Sequence, residues 1–270
     1  MIERLLLYGV DKLPSWLKSK GYKVYEDYLE KGIKQGRMPE HLGIILDGNR
    51  RWAYEKGLSS HDGHSKGARV GEEVLNWCLD YGIKTLTIYT FSDENFSRED
   101  EEVKDVLKIT EEEAIKLSKD KKLENHRIRV KALGRIELLP KSLRDVLVML
   151  EEQTQDYDQH FLNVAIAYTG RKEIVDATKK ILVADRENQF DLDQIDENMF
   201  EKYLYTAHLA NPSPDLIIRT SGESRLSGFF LWQAAYSELV FVDVNWPDFR
   251  KIDFLRAIRL YQRKDRRHGK

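Results

Sequence analysis

Short apolar runs and longer mixed stretches alternate along this 270-residue chain. Residues 42–46, 85–90, 127–133, 161–167, 215–218 and 239–244 are rich in Ile, Val, Leu and Tyr, and most end at Gly, Asp, Arg or Ser, which predicts six strands. Between them, helical patterning covers 66–82, 99–120, 137–155, 171–184 and 250–264, with a weaker pattern over 196–209. Alternation of this kind builds a mostly parallel sheet with helices packed on it. No internal repeat and no Gly/Ser-rich linker interrupts the pattern, so the expected fold is a single α/β domain around a central, mostly parallel six-stranded sheet flanked by helices. Residues 1–36 mix Leu, Tyr and Trp with Lys and Glu and read as an amphipathic helical extension ahead of a body spanning 37–270.

Ligands of open parallel sheets bind beyond the carboxyl ends of the strands. That rule gathers 47–52, 91–98, 134–135, 168–171, 219–227 and 243–246 into one region, and its many arginines point to an anionic ligand. The densest segment follows Gly43-Ile44-Ile45-Leu46: an apolar run stops at Asp47-Gly48-Asn49-Arg50-Arg51-Trp52. Gly48 permits a tight turn, the next N–H groups can open a helix that attracts anions, and Arg50 and Arg51 add permanent charge. Asp47 would repel a phosphate unless a divalent cation lay between them, and oxygen ligands together with phosphates suit Mg²⁺. Asp-Gly-Asn is also ordinary helix-cap chemistry, and the residues alone weigh the two readings evenly.

A second segment, Arg219-Thr220-Ser221-Gly222-Glu223-Ser224-Arg225-Leu226-Ser227, has the composition of an anion-binding loop. The plainer reading is a polar loop in which Arg219 pairs with Glu223. Glu238 is an acid inside an apolar stretch and needs a metal or an arginine as partner. Residues 89–98, with Phe91, Ser92, Glu94, Asn95, Phe96 and Arg98, combine an apolar wall with polar groups. His64 lies between Gly63 and Gly67, which suggests close ligand approach.

The formal charge of -2 supplies no global field that would select nucleic acid. It hides a basic end: nine Lys and Arg from Arg250 onward face Asp253 and Asp265. The single Cys78 excludes an internal disulfide, fits a reducing cytoplasmic setting, and reads as core within 74–79. No run is long enough to span a bilayer, and 5–8 is too short for a signal peptide. No Walker A loop, dinucleotide fingerprint, Cys/His zinc spacing or nucleophile elbow is present.

Taken together, Pro39-Glu40-His41, 47–53, Gly63-His64, 90–95, Gly170-Arg171, 219–223, 225–227, Leu231-Trp232-Gln233, 236–239 and Asn245-Trp246-Pro247 resemble the cis-prenyltransferases, the undecaprenyl and dehydrodolichyl diphosphate synthase family. Arg267-His268-Gly269 resembles the Arg-x-Gly tail of many members. The resemblance spans about 39–250 in the family's order. Ser60, Ser224, Phe96 and Ala167 stand where many members carry Arg, His, Trp and Asn.

The resemblance implies Mg²⁺-dependent addition of isopentenyl diphosphate to an allylic prenyl diphosphate, of farnesyl or geranylgeranyl type, with Z double bonds and a product used as a lipid carrier. Asp47 and Glu238 would hold the metal, and Asp47, Asn49 and Ser92 would be catalytic. Gly48, Arg50, Arg51, Trp52, His64, Phe91, Glu94, Asn95, Phe96, Arg98, Arg219, Arg225 and Ser227 would bind substrates. The resemblance further implies a homodimer with peripheral membrane contact for product release. A growing prenyl chain needs an apolar tunnel between sheet and helices, and Val103, Val106, Leu107, Thr110, Ala114 and Leu117 offer one face for it. Alternatives are a non-catalytic subunit of a heteromeric prenyltransferase, whose kind lose the Asp-Gly-Asn and phosphate-loop residues kept here, and transfer to a different acceptor.

Overall fold

In the computed structural model, which describes residues 15–34, 36–186 and 195–264, β1 (His41–Ile45) is buried at every position. A strand with no solvent face belongs inside a parallel sheet. Accordingly, β2 (Thr85–Ser92) pairs with one edge of β1 and β5 (Leu216–Arg219) with the other. The sheet extends through β4 (His160–Tyr168) to β3 (Ile128–Leu133) on one side and to β6 (Glu238–Phe241) on the other. The order is β3-β4-β2-β1-β5-β6, with every pair parallel. Side chains alternate between two layers: Leu42 and Ile44 join the main core, and Ile45 joins a smaller one with Tyr89, Phe229 and Phe230.

The helices are α1 (Ser15–Ile33), α2 (Asn49–Glu55), α3 (Ser60–Asp80), α4 (Asp100–Ser118), α5 (Lys122–Asn125), α6 (Lys141–Thr154), α7 (Gly170–Arg186), α8 (Glu197–Glu201) and α9 (Lys251–Gln262). Apolar residues of α1, α3, α4, α6 and α9 share the main core. In α3 the buried positions Gly63, Gly67, Val70, Val74 and Cys78 recur every three or four residues, so one stripe meets the sheet. This helix begins well before the expected 66, because Ser59 and Asp62 form a capping box that the Gly- and His-rich first turns obscured. The pattern over 196–209 yields only the short α8. The following turns are held by tertiary bonds instead, from Gln233 Nε2 to Thr206 Oγ1 (3.1 Å) and between His208 Nε2 and Asn163 Oδ1 (2.9 Å).

A buried polar chain continues from Asn163, whose Nδ2 donates to Thr87 Oγ1 at 3.0 Å, to His41 Nε2, 2.8 Å from the same hydroxyl. Burial pushes His41 and His208 down to about 4, so both imidazoles are neutral. Cys78 is buried, which raises its thiol pKa and suits a core residue. Leu29 and Ile33 of α1 are wholly buried, and the rings of Tyr22, Tyr25 and Tyr28 lie 4.9, 5.2 and 5.2 Å from the guanidinium groups of Arg250, Arg256 and Arg259. The first 14 residues and the Arg267-His268-Gly269 tail lie outside the described residues. Among the described residues no helix is long and apolar enough to cross a membrane.

Candidate active site

The chain leaves β1 toward β2 on one side, while β5 leads to β6 on the other. Their shared boundary is therefore the topological switch point of the sheet, where a crevice forms. Ile45 pairs with Arg219, which brings Asp47 and the end of β5 together. Arg219 is buried, and its guanidinium reaches three ways: Nη2 donates to Asp47 Oδ2 at 2.7 Å, and Nη1 donates to Ser227 Oγ at 2.7 Å and to the Arg225 carbonyl. Thr220 fastens the same turn: its hydroxyl donates to the Asp47 carbonyl (2.7 Å) and accepts from the Asp47 N–H (3.0 Å). Ser227 holds a left-handed backbone (φ 47°), a costly conformation for a non-glycine residue that this loop enforces.

Gly48 (φ 104°) turns the chain into α2, and a Cβ there would lie 2.5 Å from Asn245 Oδ1. Asn49 opens the helix. Its Nδ2 donates to the Leu46 carbonyl at 3.1 Å, while its buried Oδ1 has no hydrogen-bond partner. A Cβ on Gly67 would fall 2.2 Å from that oxygen and 2.8 Å from Trp246, so α3 approaches Asn49 only because Gly67 has no side chain. On β2 an irregularity in register around Thr90, whose hydroxyl donates to the Ala165 carbonyl at 3.1 Å, re-aims Phe91 and Ser92. Asn95 Oδ1 then accepts from the Ser92 N–H at 2.9 Å.

Five arginines of the region meet carboxylates around the crevice. Glu102 takes Arg50 (3.3 Å) and Arg98 (2.9 Å), Glu223 takes Arg51 (3.4 Å) and Arg225, and Asp47 takes Arg219. Arg51 also donates to Ser221 Oγ at 2.7 Å. Burial, with Arg98 beside it, pushes His64 down to about 4, so it presents a neutral ring whose Nε2 makes no hydrogen bond and lies 3.9 Å from Glu102 Oε1.

These residues enclose a charged cavity of about 790 Å³ lined by Asp47, Gly48, Asn49, Arg50, Arg51, His64, Phe91, Ser92, Glu94, Asn95, Arg98, Arg219 and Ser227. A second cavity of about 180 Å³, mostly apolar, runs between the sheet and α3, α4 and α6. Leu46, Asn49, His64 and Thr90 line both, so the two cavities adjoin at these residues, the neck between them.

Four expected residues fall elsewhere. Trp52 is buried beneath Lys66 (4.5 Å) and Lys56 (5.4 Å) and does not line the charged cavity. Phe96 stays behind Phe91, edge to face at 4.9 Å, and acts through it. Arg225 turns its exposed guanidinium to Glu223 and offers the site its carbonyl. Glu238 is the first residue of β6, level with Leu216 and hence Leu42, roughly 16 Å below Asp47 at about 3.3 Å per residue, and it pairs with Lys264. The structure therefore does not bring Glu238 to Asp47. Arg135 also stays out, held by Asp176 at 2.8 and 2.7 Å, as does the buried Tyr168. Glu102 and Tyr54 complete the site without having been singled out in the sequence. Only Glu102 carried a signal, four residues after Arg98 on a helix start.

No group of three or more His, Cys, Asp or Glu suited to a metal occurs among the described residues. Asp47 and the exposed Glu94 are the carboxylates on the cavity wall, and one oxygen of Asp47, in the turn that follows β1, is taken by Arg219. That donor set fits Mg²⁺ held by a single carboxylate, substrate phosphates and water, and does not fit an all-protein cage.

Residues 45–269 match the family described as "Putative undecaprenyl diphosphate synthase". Three similar proteins carry the name tritrans,polycis-undecaprenyl-diphosphate synthase (geranylgeranyl-diphosphate specific). The one from Methanopyrus kandleri is 50% identical over 249 residues, 92% of this chain and 91% of that protein. The one from Methanocaldococcus jannaschii is 47% identical (92% and 89%), and the one from Pyrococcus abyssi is 46% identical (98% and 100%). Among solved structures, lavandulyl diphosphate synthase from Lavandula x intermedia in complex with dimethylallyl diphosphate superposes with a TM-score of 0.83 at 35% identity, covering 86% of this chain and 99% of that one.

Proposed function

The chain belongs to the undecaprenyl diphosphate synthase family and is a prenyl-transferring enzyme, a cis-prenyltransferase; from that premise we propose that it extends geranylgeranyl diphosphate with isopentenyl diphosphate to a cis-polyprenyl diphosphate of undecaprenyl length, with Mg²⁺. The observation that carries this reading is the neck: a cavity lined for diphosphate adjoins, at Asn49 and His64, one lined for hydrocarbon. The starter and product follow the names of the archaeal relatives. A homodimer acting from the cytoplasm, touching the membrane to release a lipid carrier, belongs to the same proposal.

In this reading Arg50, Arg51 and Arg98 hold the allylic diphosphate, and Arg219 and Ser227 hold the isopentenyl diphosphate beside it. Asp47 would hold Mg²⁺, which when bound neutralises charge on the departing diphosphate. The allylic C–O bond breaks and its electron pair leaves with the diphosphate. The isopentenyl double bond then adds to the freed carbon, and a proton is lost from the adjoining carbon. The guanidinium groups stabilise the leaving charge from fixed positions. Asn49 Oδ1, buried and unpaired at the neck, and Ser92 orient the group that loses the proton. The neutral His64 supplies shape and polarity there without adding a charge.

The test is incubation of the purified chain with labelled isopentenyl diphosphate, Mg²⁺ and allylic starters of three lengths, with products sized by chromatography. Long products formed best from geranylgeranyl diphosphate are expected, with loss of turnover in Asp47→Ala. A single short product would favour a different acceptor. Turnover only after a second chain is added would favour the non-catalytic subunit.

A further inference from the structure

The apolar cavity has a defined far end. Its wall follows α3 from His64 to Leu75 and α4 from Val106 to Leu117, a depth of about 16 Å at about 1.5 Å per helical residue. Gly67, Ala68 and Gly71 on α3, with Thr110 and Ala114 on α4, are small and leave a lumen between the two helices. Near the neck the wall is uncharged. The charged lining residues Glu72, Glu113, Lys116, Asp120 and Lys122 all come from the far half. One contact bridges the two helices there: Lys116 Nζ lies 2.6 Å from Glu72 Oε2 and 3.7 Å from Glu113. The side chains of Lys116 and Glu72 are 55% and 40% exposed, so the contact forms the outer skin of the cavity.

Length decides what this contact must do. Each isoprenoid unit adds four chain bonds, about 5 Å when extended with carbon–carbon bonds near 1.5 Å. A cavity of about 16 Å therefore holds about three units, fewer than the four of the geranylgeranyl starter. Any longer chain has to press on the far end, and hydrocarbon cannot satisfy the charges it finds there.

We propose that the Glu72–Lys116 pair, with Glu113 beside it, is a latch between α3 and α4 that closes the distal end of the prenyl cavity and sets how readily a growing chain passes out of it. This rests on the elongation reading above. An exposed ion pair is weak and screened by salt, so it yields to a chain advancing one unit at a time yet opposes each passage. The pair acts on chain length and leaves the condensation at the neck untouched.

The test uses the full chain with Mg²⁺, geranylgeranyl diphosphate and labelled isopentenyl diphosphate at low and high salt. It compares the wild type with Lys116→Met, with Glu72→Gln and with the swap that combines Glu72→Lys and Lys116→Glu. Lys116→Met and Glu72→Gln are expected to lengthen the mean product by at least one five-carbon unit, at an unchanged rate of the first condensation, and the swap to restore the wild-type distribution. Raising salt should lengthen the wild-type product and leave those of the two single variants unmoved. Identical distributions in all four proteins at both salt levels would overturn the latch while leaving elongation standing. A wild-type chain that makes no polyprenyl product would bring down the elongation reading, and the latch with it.

Discussion

Asp47 and Arg219 meet across the boundary between β1 and β5, carboxylate oxygen to guanidinium nitrogen at 2.7 Å. The acid lies two residues past one strand and the base ends the other, so the parallel register alone brings them together. In Asp47→Ala, Arg219 keeps Ser227 and the Arg225 carbonyl but loses its charged partner. Stability to urea should fall by about 1–3 kcal/mol, and turnover by a factor of at least about 10². Full activity in that variant would remove Asp47 from the chemistry.

Glu102 already pairs with both Arg50 and Arg98 before any ligand arrives, offsetting one of their two charges. Glu102→Gln keeps an acceptor for one guanidinium and deletes the competing charge. Inorganic pyrophosphate should then bind about tenfold more tightly, equivalent to about 1.4 kcal/mol, as measured by calorimetry. Weaker binding would mean that Glu102 chiefly positions the two arginines.

Gly67→Ala would push a methyl group onto Asn49 Oδ1 and Trp246. Displacing Asn49 by about an ångström should lower kcat by about 10²-fold, with a stability loss of about 1–3 kcal/mol from overpacking. An unchanged kcat would show that the exact seat of Asn49 is immaterial.

Ala114 lines the apolar cavity on α4, where Trp would fill lumen that the present side chain leaves open. Ala114→Trp should shorten the products sized by chromatography while condensation continues. Unchanged chain lengths would place the growing chain somewhere else.

His41, His64 and His208 are each held near 4 instead of 6.5, with burial the largest cause in every case. The unfolded chain takes up these protons near 6.5, whereas the folded one withholds them until about 4. The stability carried by the neutral rings is therefore complete above 6.5 and is lost as pH falls through that window, at about 1.4 kcal/mol per pH unit for each fully engaged ring. Urea midpoints measured from neutral to acid pH should drop steeply there, and His41→Asn should flatten the slope. A flat profile would mean that the rings are protonated in the fold.

The sheet was legible because its strands are short, apolar and punctuated. The run 43–46 ending at Asp47 marks both β1 and the crevice above it. Partner choice was not legible. Arg50 and Glu102 lie 52 positions apart, and only the packing of α4 against the site pairs them. Trp52 was expected at the ligand through the family resemblance, yet the turn of α2 carries it inward under Lys66. Glu238 read as an acid in an apolar stretch in want of a metal or an arginine. It is the opening residue of β6, and that end of the strand faces away from the crevice, where Lys264 answers it.

Because Leu46, Asn49, His64 and Thr90 belong to both cavities, the proposed elongation would bring the bond-forming carbon back to one spot in every cycle however much tail lay beyond it. Speed and size of product would then be governed by separate parts of the molecule. A lineage could remodel the deep helices to make a shorter or longer lipid without reinventing the chemistry at the mouth.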